Sequence, residues 1–162
     1  MVEPITVRIA TLKVVSDPSV LVCRGLGSCV GVALWEKGSG IGGLAHILLP
    51  SDEFSLKKDN PEKFADQAID LMVQEMLKRG AIRSMIVAKI AGGARMFTSL
   101  VPQTDRVHVG ERNVEAVKQK LKEVGINIIA EDTGGNRGRT MEFETKTGKV
   151  MVILADKTMK VL

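Results

Sequence analysis

The chain of 162 residues has two cysteines, two histidines, one tryptophan and no tyrosine. Cys23, Cys29, His46 and His108 are therefore its whole stock of thiols and near-neutral bases. Two thiols exclude a four-cysteine zinc site, and they exclude a disulfide framework as the main source of stability. They stand six residues apart, not as Cys-x-x-Cys, which argues against a thioredoxin-like redox motif. No clustered ligand spacing points to a metal. Aromatic residues are 3% of the chain, so the stacking platforms of a single-stranded nucleic-acid binder are missing. The net charge of +4 is spread out, and nucleic acid is not an expected partner. No stretch reaches the ~20 apolar residues of a membrane span, so membrane insertion is not expected. Met1-Val2-Glu3-Pro4 lacks a basic region followed by an apolar run, so no secretory leader is expected. Unpatterned thiols fit a reducing compartment, and the expected location is cytoplasmic.

What is present is an ordinary globular balance, 44% apolar and 26% charged, sized for one domain over residues 1–162. Ile5 to Val15 reads as a strand, then Val20 to Val22, Cys29 to Trp35 and Ile41 to Leu49. Gly38-Ser39-Gly40 is a turn between the last two. Asn60-Pro61 predicts a helix start, with Asn60 capping and Pro61 at the first helical position. Phe64, Ala68, Leu71, Met72 and Met76 recur at helical spacing, and the methionines read as core. Gly80 ends that helix. Ser84 to Ile90 predicts a strand and Glu111 to Val124 a second helix. Ile126 to Ala130 follows as a strand, and Met141 to Thr145 with Lys149 to Ala155 predicts a hairpin. About seven strands and two main helices, with incomplete alternation, predict an α+β fold: helices covering a mostly antiparallel sheet or sheet pair.

Gly25-Leu26-Gly27-Ser28-Cys29 puts a thiol just after a glycine turn. Glycines let the backbone approach a substrate closely, and main-chain N–H groups around Gly27 and Ser28 are candidates for holding an oxyanion. Cys29 is then either a nucleophile activated by a base or a small buried residue entering a strand. His46 sits in a strongly apolar strand, as a general base or as a core histidine bonded to a carbonyl. A hairpin across Gly38-Ser39-Gly40 would set the two strands side by side, so a Cys–His pair is geometrically cheap. His108 reads as a loop-packing residue. The dinucleotide fingerprint fails at Val30, and neither a phosphate loop nor a Gly-x-Ser-x-Gly elbow is present. Gly92-Gly93 and Gly134-Gly135, near Arg95, Arg137 and Arg139, are phosphate cradles or, more commonly, tight turns.

Gly25-Leu26-Gly27-Ser28-Cys29-Val30-Gly31 and Gly42-Gly43-Leu44-Ala45-His46-Ile47-Leu48-Leu49-Pro50 closely resemble the bacterial chemoreceptor glutamine deamidase family, CheD. The likeness continues through Gly92 to Phe97, Gly110-Glu111-Arg112-Asn113 and Asp132 to Arg139. The resemblance implies a cysteine amidohydrolase that converts glutamine side chains of methyl-accepting chemoreceptors to glutamate and ammonia. It implies Cys29 as nucleophile, His46 as base, no cofactor, and an α/β sandwich related to a necrotizing-toxin deamidase domain. It also implies the chemotaxis phosphatase CheC as a partner, and Phe97 is a candidate substrate or partner contact. One position departs from the family pattern. Where the family usually has a threonine as third catalytic residue, this chain has Cys23, a poor hydrogen-bonding group. If the third residue orients His46 through its side chain, activity is reduced; if a main-chain carbonyl does so, Cys23 is tolerated. The departure also admits an alternative: a non-catalytic module that binds receptors and the phosphatase.

Overall fold

A computed structural model describes residues 3–96 and 109–162. The first sheet contains β1 (Ile5–Thr6), β3 (Val20–Leu26), β8 (Arg139–Glu144), β9 (Val150–Leu154) and β10 (Met159–Val161), in the order β1-β3-β8-β9-β10. The second contains β2 (Leu12–Val15), β4 (Val30–Glu36), β5 (Gly42–Ile47), β6 (Ile86–Gly92) and β7 (Asn127–Thr133), in the order β2-β5-β4-β6-β7. Two helices, α1 (Ala65–Lys78) and α2 (Val109–Glu123), pack on the second sheet. Among the strand pairs of the described residues, β1–β3 and β6–β7 alone are parallel. The α+β sandwich is therefore the fold expected, in three layers.

Alternation along the central strands generates the layers, because successive strand residues point to opposite faces. Val30, Val32 and Leu34 of β4, with Ala45 and Ile47 of β5, pack with Ile69, Met72, Met76, Val117 and Leu121 of the helices. Ala33 of β4, Leu44 of β5 and the flanking Cys29 pack the other way, with Cys23, Leu26, Met141 and Phe143 of the first sheet. The second sheet is thus covered on both faces, which explains its near-continuous apolar sequence.

Ile5 to Val15 is not one strand. Ala10 adopts a left-handed φ of 61°, and Thr11 bonds back to the Arg8 carbonyl through its N–H (3.1 Å) and its hydroxyl (2.7 Å). The turn sends β1 to the first sheet and β2 to the second. Val20 to Val22 extends to Leu26 because Gly25, at φ +69°, forms a bulge. Arg24 and Gly25 stand opposite Thr140 alone, since Cys23 pairs with Met141 and Leu26 with Arg139. With the first run split in two and β10 added, the described residues hold ten strands, more than the about seven expected. The first helix also starts late. Asn60 accepts the Glu62 N–H at 3.1 Å, as a cap should, but it caps a single 3₁₀ turn, Pro61–Lys63. Phe64 is extended and bridges Leu49, so the α-helix starts at Ala65.

The β4–β5 hairpin is tied at its turn by Glu36. Its buried carboxylate accepts the N–H groups of Ser39 (2.9 Å) and Ile82. The Ile82 N–H in particular holds this carboxyl below its usual pKa, against the opposing effect of burial. Gly40, at φ +73°, completes the turn.

Candidate active site

His46 lies opposite Gly31 in the β4–β5 ladder. Side chains directly opposite share a face, and so do residues two apart on one strand. Cys29, two residues before Gly31, therefore lies on the same face as His46 and diagonal to it. The face is the inter-sheet layer: Cys29 is 5% exposed and His46 1%. Gly31 makes room for it, since a Cβ there would lie 2.5 Å from Met141 Sδ.

The imidazole is anchored from outside its own hairpin. Its Nδ1 lies 3.2 Å from the carbonyl oxygen of Val7, which follows β1. A carbonyl only accepts, so Nδ1 carries the proton and Nε2 keeps its lone pair. The main chain reinforces this placement: His46 N–H donates to Thr11 O, and His46 O accepts from Ala10 N–H, both at 3.0 Å. The break at Ala10 thus has a use, because the segment before it sets the Val7 carbonyl against Nδ1. His46 Nε2 has no hydrogen-bond partner among the described residues.

Burial sets the protonation of the pair. Desolvation pushes the Cys29 thiol up to about 11, partly countered by its own backbone N–H. Desolvation also lowers His46 below its usual 6.5, partly countered by the Val7 carbonyl. Near pH 7 the site rests as thiol and neutral imidazole. The linkage follows directly. A depressed histidine contributes stability that is complete above 6.5 and is lost as pH falls through the folded value. A raised thiol contributes stability that is complete below 9.0 and is lost as pH rises through about 11. The thermal midpoint is accordingly expected to be highest between these limits. Scanning calorimetry against pH should show the acid slope reduced in His46→Gln and the alkaline slope reduced in Cys29→Ala.

Cys23 lies in the same layer, fully buried, its Sγ 3.8 Å from where a Cβ on Gly31 would be. Burial, with Cys29 adding to it, pushes its thiol far up. Both thiols are free. Gly27 and Ser28 connect β3 to Cys29. The Gly27 carbonyl accepts from Ala94 N–H, and the Cys29 carbonyl from Gly93 N–H, both at 2.8 Å. Met96, half exposed, lies with its Cγ 3.0 Å from where a Gly27 Cβ would be. Phe97 and His108 fall outside the described residues.

Sequence reasoning left several contributors without a role. Gly92 and Gly93 have φ of +112° and +64°, and a Cβ on Gly92 would come within 2.3 Å of the Cys29 carbonyl oxygen. This pair is a turn built for close approach to the thiol-bearing segment. Arg139 is not open to a phosphate. It is 7% exposed and donates to the carbonyls of Gly92 (2.9 Å), Asp132 (2.5 Å) and Gly134. Arg95 pairs with Glu111, and Arg137 with Asp156. Asn113 of α2 is completely buried, and its Nδ2 donates to Ser28 O (2.9 Å) and Leu48 O (3.0 Å). Its Oδ1 has no partner among the described residues. Each neutral bond contributes about 1 kcal/mol. The signal for Asn113 was a polar residue on the otherwise apolar face of α2, aligned with Val117 and Leu121 at helical spacing.

Residues 48–153 match the family described as CheD, chemotactic sensory transduction, a range that opens two residues beyond His46. The chain is 46% identical over 146 residues to the probable chemoreceptor glutamine deamidase CheD of Caldanaerobacter subterraneus subsp. tengcongensis, covering 90% of each chain. It is 48% identical over 151 residues to the protein of the same description from Clostridium botulinum strain Hall, covering 93% of each. Among solved structures, the hypothetical protein YfiH of Bacillus licheniformis aligns with a TM-score of 0.46 at 16% identity. That alignment covers 77% of this chain and 51% of YfiH.

Proposed function

The chain belongs to the CheD family, and from that premise we propose that it is a cysteine-dependent protein-glutamine deamidase acting on bacterial chemoreceptors. The observation that carries this reading is the juxtaposition of Cys29 and His46. His46 lies on β5 and Cys29 directly precedes the neighbouring β4, both buried, with His46 Nδ1 held by Val7 and Nε2 left as the base.

The reaction is acyl transfer from ammonia to water. Because the pair rests neutral, His46 Nε2 takes the thiol proton as Cys29 Sγ attacks the side-chain amide carbon. Backbone N–H groups around Ser28 and Cys29 hold the oxyanion. The C–N bond then breaks, with His46 giving its proton to the departing ammonia, and a thioester remains on Cys29. Water attacks the thioester with Nε2 as base, releasing glutamate and restoring the thiol. The Val7 carbonyl does the orienting that a third side chain would otherwise do, so Cys23 serves as packing. The whole chain acts as one deamidase domain in the cytoplasm, with a CheC-type phosphatase as partner.

Incubation of the purified protein with a receptor cytoplasmic fragment is expected to release ammonia and convert discrete glutamines to glutamates, read by peptide mass spectrometry. A wild-type protein that leaves every glutamine intact overturns the reading. Since the base works unprotonated, the acid limb of kcat/KM is expected below pH 6.5, the ordinary imidazole value. An acid limb above that pH would be inconsistent with a desolvated base.

A further inference from the structure

We propose that Asn113 is a positioning residue that sets the spacing of Cys29 and His46, by acting as the missing last rung between the strands that carry them. The proposal deepens the deamidase reading and rests on it for its catalytic consequence. The β4–β5 ladder ends at Val30 opposite Ile47. Cys29 lies one residue beyond that last pair, so the chain that bears the nucleophile leaves the sheet just where alignment matters most. Beyond the ladder, the Ser28 carbonyl on one side and the Leu48 carbonyl on the other are both acceptors and cannot bond each other. A group with two N–H donors on one nitrogen can bridge them, and Asn113 Nδ2 does so at 2.9 and 3.0 Å.

The clamp is itself held. Gly110, near the start of α2, packs so closely on the Gly93–Ala94 backbone that a Cβ would lie 2.3 Å from Ala94 O. Ala94 and Gly93 in turn bond Gly27 and Cys29. The helix end, the glycine turn and the nucleophile's segment thus form one rigid unit, with Asn113 reaching from it to the segment after His46.

The test uses the full chain carrying Asn113→Leu, which keeps the branched shape but removes both donors, and Asn113→Ser, which is too short to span both carbonyls. Two readouts are taken well below each variant's melting temperature. With a receptor fragment, kcat is expected to fall about a hundredfold at unchanged KM, the size of effect that a misplacement near 1 Å produces. With iodoacetamide and no receptor, the pH profile of Cys29 alkylation, located by mass spectrometry, is expected to shift to higher pH. His46→Gln should produce the same shift, and adding Asn113→Leu to it should produce no more. Folded variants with wild-type kcat and a wild-type alkylation profile would overturn the proposal. Loss of folding in both variants would also overturn it, assigning the amide to stability. Because alkylation needs no receptor, failure of the deamidase reading would show as an inactive wild type with the alkylation arm intact.

Discussion

Replacing Cys29 by alanine is expected to lower receptor-glutamine deamidation by about 10⁴–10⁶-fold, the loss seen when a covalent nucleophile is removed from a catalytic pair. The protein should remain folded. The side chain is small and buried, and alanine removes only its sulfur, leaving the main-chain bond from Gly93 N–H to Cys29 O in place. The informative result is the comparison with His46→Gln and the double variant. Residues that act as one unit are strongly non-additive, so the double should be no slower than the worse single. Strictly multiplicative losses would mean that the two side chains work independently, and the proposed proton transfer between them would be wrong. Near-wild-type deamidation in Cys29→Ala would remove the thiol from the mechanism altogether, whereas retained binding and signalling without activity would favour the binding-module alternative. A receptor and phosphatase pull-down with that variant then reads the remaining function.

Replacing Gly92 by alanine is expected to cost both stability and activity. Its φ of +112° lies where side-chain-bearing residues are strained, and the added Cβ would come within 2.3 Å of Cys29 O and 3.2 Å of Val30 Cα. Both obstacles are backbone, so neither can swing aside. Strain and overpacking together amount to about 3 kcal/mol. For a chain of this size that lowers the melting temperature by roughly 10 °C. The displaced Cys29 segment should also lose about a hundredfold in kcat in the protein that folds. Gly80→Ala is the control. Gly80 also has a positive φ, +102°, but a Cβ there meets nothing within 4 Å. It should show a smaller loss of stability and no change in kcat. Equal effects from the two substitutions would mean that backbone strain, and not collision with the nucleophile's segment, governs Gly92.

Much of the fold was legible because it is local. The β4–β5 hairpin followed from Gly38-Ser39-Gly40 between two apolar runs, and the helical stripes followed from period. The methionines of the first helix were readable as core, and Met72 and Met76 are fully buried. The break at Ala10 was not legible, since alanine carries no turn signal and its positive φ is imposed by bonds to His46 and by the diverging sheets. The late helix start was hidden for a similar reason. Asn60-Pro61 has the chemistry of a cap, but the pairing of Phe64 with Leu49 takes the next residue out of the helix.

The candidate site divides along the same line. Two cysteines and two histidines bounded the chemistry, and the glycine turn put the strand that follows Cys29 beside the strand that carries His46. These are consequences of composition and short-range pattern, and the sequence by itself determined them. The shared face of the pair, the tautomer of His46, the neutral resting state and the amide bridge from Asn113 were decided only by the tertiary structure. Each depends on a partner far along the chain: Val7 is 39 residues from His46, and Asn113 is 85 from Ser28 and 65 from Leu48. Cys23 shows the difference most clearly. By residue type it is a poor substitute for a hydroxyl, but in the folded chain a main-chain carbonyl, which every residue possesses, takes the orienting position beside the imidazole.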